Sequence, residues 1–269
     1  MTTNPITPAI DLFRLVVENI ALHQRISHHE APGLRKHQKV LPFGGTFFLS
    51  ALANFRCGRY NLLSFLQRKK HMDHETQWDQ LLRIETCGRD ETNADQYHHP
   101  YEPTPYCVLE RLSGSGLIGE NDTVLDYGCG KGRVGFFLSR QTKAKTIGIE
   151  YDERIYGAAL ENRRTAKADA QFLLTRAEEY EVPPCVNRCY FFNPFSVEIL
   201  HKVMARILES YYRAPREILL FFYYPSDDFV ASLMTVDELD FYDEIECDDL
   251  FPGKDSRERI LIFGLPCYE

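Results

Sequence analysis

Val124-Leu125-Asp126-Tyr127-Gly128-Cys129-Gly130-Lys131-Gly132-Arg133 is the stretch whose reading decides the fold. An apolar run ends in an acid, glycines recur at alternate positions, and a helix-forming segment follows. Without a Cβ, such glycines let the chain turn sharply and approach a ligand closely. A kinase-type phosphate loop needs Gly-Lys-Ser/Thr after four spacer residues; Gly130 to Gly135 has the spacing, but Phe136 follows. A dinucleotide loop needs a third glycine where Arg133 stands, and Asp126 would set a carboxylate beside the diphosphate. The same carboxylate suits a ligand with an ammonium group and a nearby sulfonium.

Working outward, short apolar runs alternate with amphipathic segments. Strands are predicted over Thr123–Tyr127, Thr146–Glu150, Gln171–Leu174, Cys189–Phe192 and Glu217–Tyr224. Helices are predicted near Arg133–Arg140, Arg154–Lys167 and Val197–Tyr212. Such alternation implies an α/β fold, a parallel sheet covered on both faces. Phe241–Cys247 and Arg259–Gly264 are strand-like runs joined through Pro252-Gly253 without a helix, which predicts a terminal antiparallel hairpin.

Asp126-x-Gly128-x-Gly130-x-Gly132 resembles the first motif of class I S-adenosyl-L-methionine (SAM) dependent methyltransferases. Glu150, 22 residues after Gly128 at the end of the next strand, matches the family's ribose-binding acid. An acid there suits nucleotide-binding proteins generally, so it points to adenosine and not to SAM alone. Leu174-Thr175-Arg176-Ala177-Glu178 occupies the place of the adenine-contacting motif, with Arg176 where the acid usually stands. Phe192-Asn193-Pro194-Phe195 is similar to the family's catalytic-face motif, one proline short of the amino-methylating form. With Tyr101-Glu102-Pro103-Thr104-Pro105 upstream, the D-x-G-C-G-K-G-R and F-N-P-F pair resembles an uncharacterised bacterial group.

The resemblance implies a Rossmann-like methyltransferase sheet, mostly parallel with a C-terminal antiparallel hairpin, behind an N-terminal helical extension. It covers about Ile84 to Pro225. Residues 1–95 are read as a helical extension or substrate cap, and 96–269 as the SAM-binding domain. The resemblance also implies roles. Asp126, Gly128, Gly130 and Gly132 hold the methionine part, Glu150 the ribose, and Ala177 and Glu178 the adenine. Tyr101, Thr104 and Tyr106 close over the cofactor. Asn193, Pro194 and Phe195 meet the acceptor: side-chain and backbone carbonyls for an amine, an aromatic ring for a flat substrate, with Tyr223-Tyr224-Pro225 on the same rim. Arg133 is expected to face solvent. Methyl transfer is an in-line displacement at an activated carbon, so alignment supplies about 7–11 kcal/mol and no enzyme nucleophile is needed.

The chain has 269 residues, 44% of them hydrophobic, and a net charge of −8, which fits one large globular domain with an extension. Arg14–Lys70 holds ten Lys/Arg against Glu18 and Glu30. That stretch suits RNA or another polyanion, or forms a solvated helical surface. Eight singly spaced cysteines read as free thiols of a reducing cytoplasm, and Cys185-x₃-Cys189 lacks a second pair, so no metal is expected. His98-His99 suits a base or a metal ligand but is more simply a polar loop. The longest apolar run, Ile218–Tyr224, is far too short to span a membrane. Three readings stand: a methyltransferase, a SAM-binding module of the same fold without acceptor chemistry, and a nucleotide-dependent oxidoreductase. The acceptor and the oligomeric state are left open.

Overall fold

The computed structural model describes residues 74–92 and 99–267. Most of the 1–95 extension, including the basic stretch Arg14–Lys70, lies outside the described residues, as does His98.

Seven strands form one sheet: β1 (Thr123–Tyr127), β2 (Lys145–Glu150), β3 (Gln171–Leu174), β4 (Arg188–Phe191), β5 (Ile218–Tyr223), β6 (Asp240–Glu246) and β7 (Arg259–Leu265), in the order β3-β2-β1-β4-β5-β7-β6. The first five pair in parallel, and β7 runs antiparallel to both β5 and β6. This is the Rossmann-like sheet with a terminal hairpin that the resemblance implies. The helices are α1 (Tyr106–Gly114), α2 (Arg133–Thr142), α3 (Glu153–Thr165), α4 (Val197–Arg213) and α5 (Asp227–Leu233), and residues 74–82 are also helical. No helix among the described residues is long and apolar enough to cross a membrane.

Burial explains the strand order. Every residue of β1 and β5 is buried, as central parallel strands covered on both faces require, whereas β3 and β6 at the edges are mostly exposed. Side chains alternate between the two faces. Leu219, Phe221 and Tyr223 join the core under α1 and α2, while Ile218, Leu220 and Phe222 join the core under α4 and α5. On the second face Tyr127, Phe191 and Phe222 stack from strand to strand, with ring centroids 4.7 Å and 4.5 Å apart.

Residues 74–92 pack into the first core, and the joint is Arg133. Contrary to the solvent-facing expectation, its side chain is only 3% exposed. It donates to Thr86 Oγ1 (2.7 Å) and the Thr104 carbonyl (3.0 Å), pairs with Glu75, and lies 4.2 Å over the Tyr106 ring. Asp79 accepts from the Thr86 backbone and hydroxyl and from the Tyr106 hydroxyl. A charge placed at the N-terminal end of α2 is therefore neutralised by carboxylates from the helical residues 74–82.

Candidate active site

The sheet order reverses between β1 and β4, and at such a switch point the loops leaving neighbouring strands diverge to form a crevice. A cleft opens there, lined by Gly128 after β1, Glu150 at the end of β2, Thr175 and Glu178 after β3, and Asn193 and Pro194 after β4.

Asp126 is 3% exposed, and its Oδ2 is buried without a hydrogen-bond partner among the described residues. Burial, reinforced by repulsion from Glu150, pushes its carboxyl up to about 8. An orphaned buried carboxylate costs free energy that an ammonium would recover. Glu150 is also buried but well satisfied: Oε2 accepts from the Gly130 N–H (3.0 Å), and Oε1 from the Tyr151 and Asp152 N–H groups (2.9 and 3.0 Å). Burial raises its pKa and those backbone bonds oppose the rise. Asp152 caps α3 by accepting from the Arg154 and Ile155 N–H groups.

All three loop glycines have positive φ, yet their open faces meet different things. A Cβ at Gly130 would lie 2.2 Å from the Tyr101 ring, and one at Gly132 would lie 2.5 Å from Phe172. Their missing side chains thus admit the protein's own aromatic rings. A Cβ at Gly128 would likewise lie 2.7 Å from Pro194, although Gly128 is exposed and on the cleft wall.

Of the other residues singled out in the sequence, the cleft brings together Tyr101, Ala177, Glu178, Asn193, Pro194 and Phe195. Thr104 is buried behind it, bonded through Oγ1 to the Tyr190 hydroxyl at 3.0 Å. Tyr106 is buried against Trp78 and Phe137 and is no part of a lid. Cys185 and Cys189 are free thiols, the first exposed and the second buried. No group of three or more metal-ligating side chains occurs among the described residues.

Asn193 and Tyr224 follow β4 and β5, and both hold the left-handed backbone, with φ of 39° and 52°. The Asn193 amide donates to the Tyr224 carbonyl at 2.5 Å, which locks the two strand ends together. With the amide nitrogen engaged, Oδ1 is the group left to accept from a substrate. Non-glycine residues in this conformation cost about 1–3 kcal/mol each and concentrate at functional sites.

The sequence hid one contributor and offered another only as a polar loop. Asp90 and His99 also line the cleft, and Asp90 pairs with Arg154 at 2.6 Å, which holds its carboxyl well below the usual range. Asp90 precedes Gly128 by 38 residues, in a segment without apolar periodicity, so no local signal marks it, whereas His99 belongs to the His98-His99 pair read above as a polar loop.

Residues 124–216 match the family model described as a methyltransferase domain. A protein-lysine N-methyltransferase of Saccharolobus islandicus (strain REY15A) is 28% identical over 86 residues, covering 32% of this chain and 53% of the relative. The ribosomal protein L11 methyltransferase of Xanthomonas campestris pv. campestris (strain 8004) is 30% identical over 90 residues, covering 32% of this chain and 29% of the relative. The chain thus spans about half, or less, of these relatives' length. An RNA methyltransferase from Salinibacter ruber, solved with S-adenosyl-L-homocysteine, superposes with a TM-score of 0.43 and 17% identity over 61% of this chain and 94% of the other.

Proposed function

We propose that the chain is a SAM-dependent methyltransferase that transfers a methyl group to an amine nitrogen presented over Asn193-Pro194-Phe195. One observation carries this reading: the buried, unpartnered carboxylate of Asp126 beside Gly128, at the reversal point of the sheet. The methyltransferase-domain match over residues 124–216 supports it. Bound SAM supplies an activated methyl group on a sulfonium.

Asp126 holds the amino-acid ammonium of the cofactor. Glu150 keeps the Gly128–Gly130 turn in shape through the Gly130 N–H and offers its remaining lone pairs to ribose hydroxyls. Ile149, Ile155, Phe195 and Ile199 give the cleft an apolar wall for the base, beside Ala177 and Glu178. Asn193 Oδ1 accepts from the acceptor's N–H and orients its lone pair. Orientation of this kind is the main thing the protein must provide. The curated relatives carry protein acceptors in their names, which favours a protein amine over RNA here.

Titration calorimetry of the full chain with SAM, S-adenosylhomocysteine and NAD tests the reading. SAM and S-adenosylhomocysteine should bind and NAD should not. NAD binding without a SAM response removes the proposal; SAM binding with no labelled methyl reaching any acceptor leaves a non-catalytic binding module.

A further inference from the structure

A second cavity opens beside the cofactor cleft and shares with it His99, Pro100, Glu102, Phe192 and Asn193. Its outer wall comes from other elements: Tyr223 and Tyr224 at the end of β5, and Phe251 and Glu258 from the hairpin connection between β6 and β7. We propose that this cavity binds the methyl acceptor as a cationic aliphatic amine, and that Glu258 takes the proton the amine must lose. The inference rests on the SAM reading above and adds the class of acceptor.

Three features point the same way. The walls are aromatic and the facing charges acidic, a combination that favours an ammonium with an alkyl stem and disfavours a phosphate. Phe192 and Tyr223 pack with centroids 4.7 Å apart, and both line the cavity. Next, Glu258 is half-buried, and its Oε2 accepts from the Tyr223 hydroxyl at 2.7 Å, while Oε1 has no hydrogen-bond partner among the described residues. Lastly, its surroundings do not balance its charge. Burial raises the Glu258 pKa, the Tyr223 bond opposes the rise, Asp255 and Glu102 add repulsion, and Arg257 offsets part of it. Arg257 is itself engaged with Asp255 and stacked 4.4 Å over the Tyr224 ring, and Arg89, on the exposed rim, divides its charge between Glu91 at 3.1 Å and Glu102 at 3.9 Å. A cation entering between Glu102 and Glu258 relieves their repulsion.

The chemistry closes. The ammonium gives one proton to Glu258 and becomes a neutral amine. Its nitrogen lone pair then forms a bond to the methyl carbon while the carbon–sulfur bond breaks, and that electron pair stays on sulfur as a neutral thioether. The positive charge leaves sulfur and appears on the methylated nitrogen, beside the neutral Glu258 acid and the Glu102 carboxylate, and that carboxylate lowers the barrier to its formation.

The test uses the full chain with methyl-labelled SAM, offering poly-L-lysine, n-butylamine and a mixed RNA oligonucleotide, with Glu258→Gln and the double variant Glu102→Gln/Glu258→Gln alongside. Label should enter poly-L-lysine or n-butylamine; the first outcome indicates a protein side chain and the second a small molecule. Glu258→Gln should lower kcat at least tenfold and flatten the acid limb of its pH profile. The double variant, loaded with S-adenosylhomocysteine, should bind poly-L-lysine at least tenfold more weakly while its SAM affinity stays within twofold. Glu102 lies on the exposed rim, so Glu102→Gln alone, expected to weaken polylysine binding severalfold, keeps the test sound if Glu258→Gln folds poorly. Label entering only RNA, or entering nothing although SAM binds, overturns the inference, as does unchanged polylysine binding in the double variant. Absence of SAM binding overturns the methyltransferase reading itself.

Discussion

If Asp126 receives the cofactor's ammonium, SAM affinity must depend on pH in a way that carries the signature of this carboxyl. Burial and Glu150 push its pKa up to about 8, so near neutrality most of the apo protein holds it protonated. The binding-competent pair is an ionised Asp126 with a protonated α-amine, whose ordinary pKa is about 7.8. Between pH 6 and pH 8 the ionised share of Asp126 rises from about one part in a hundred to about one half, while the amine falls to about two-fifths protonated. The net gain is about 20-fold in affinity, or about 1.8 kcal/mol, with a decline above about pH 8 as the amine loses its proton. Calorimetry with SAM in steps of half a pH unit from 5.5 to 9.5 reads this bell directly. Asp126→Asn should remove the rise between pH 6 and 8 and leave weak binding throughout. The linked stability effect has a definite sign. A carboxyl raised from 3.8 to about 8 contributes no penalty below the lower value, and it destabilises the native state progressively as pH climbs towards the upper one. The upper bound is about 6 kcal/mol, so Asp126→Asn should be more stable than the parent at pH 8 and indistinguishable at pH 4. A pH-independent SAM affinity between 6 and 8, or a rise that survives in Asp126→Asn, refutes the assignment.

Other expectations follow from the same contacts. Arg133→Met leaves Glu75 and Asp79 without their buried cation and should cost about 3–5 kcal/mol in urea unfolding; Arg133→Lys should recover only part, since a single ammonium cannot replace the forked bonds to Thr86, Thr104 and Glu75. Gly130→Ala should weaken both stability and SAM binding, and Tyr101→Ala added to it should restore part of each, because the new methyl group meets the Tyr101 ring; strictly additive losses in the double variant would falsify the steric origin. Asn193→Ala should lower kcat about a hundredfold with SAM affinity within threefold, measured by labelled methyl transfer, and an equal loss in SAM affinity would move Asn193 to the cofactor's side. If Arg14–Lys70 contacts RNA, affinity for a mixed oligonucleotide should fall steeply between 50 and 200 mM salt, whereas a flat response assigns the stretch to a solvated surface.

The parallel strands were legible because burial on both faces demands apolar runs. Thr123–Tyr127 and Gln171–Leu174 coincide with the predicted bounds, and the other strands shift by a residue. Two short helices were not legible. The α1 helix follows Pro105, which supplies no side-chain cap bond, and α5 spans only seven residues, too few for a periodic stripe. Arg133 was misread for a different reason. A charged residue at a helix start is ordinarily solvated, and its neutralising partners, Glu75 and Thr86, lie 58 and 47 residues upstream, so only the tertiary structure reveals the pairing. Glu258 escaped notice likewise, because it sits in a run of charges, Lys254–Arg259, that reads as a solvated turn until the hairpin folds it against Tyr223.

The glycine loop shows why motif and mechanism must be argued separately. The pattern at Gly128, Gly130 and Gly132 was read as three points of ligand approach, yet the missing side chains make room for the protein's own Pro194, Tyr101 and Phe172. Tyr101 also donates to the Thr86 carbonyl at 2.6 Å, and Thr86 in turn accepts from Arg133. The loop is thereby held from behind by Thr86 and Tyr101, and Gly130 is bonded from the front by Glu150. A turn fixed on both sides pays little ordering entropy when a ligand arrives, so its contribution to binding comes from preorganisation more than from new contacts. Tyr101→Phe keeps the ring on Gly130 and removes only the hydroxyl bond to Thr86. It should therefore weaken SAM binding by no more than about fivefold, the worth of one ordinary hydrogen bond. Tyr101→Ala, which frees the loop, should weaken binding considerably further, with the excess appearing as an entropic penalty in calorimetry. Equal effects of the two substitutions would show that the hydroxyl, and not the ring, holds the loop.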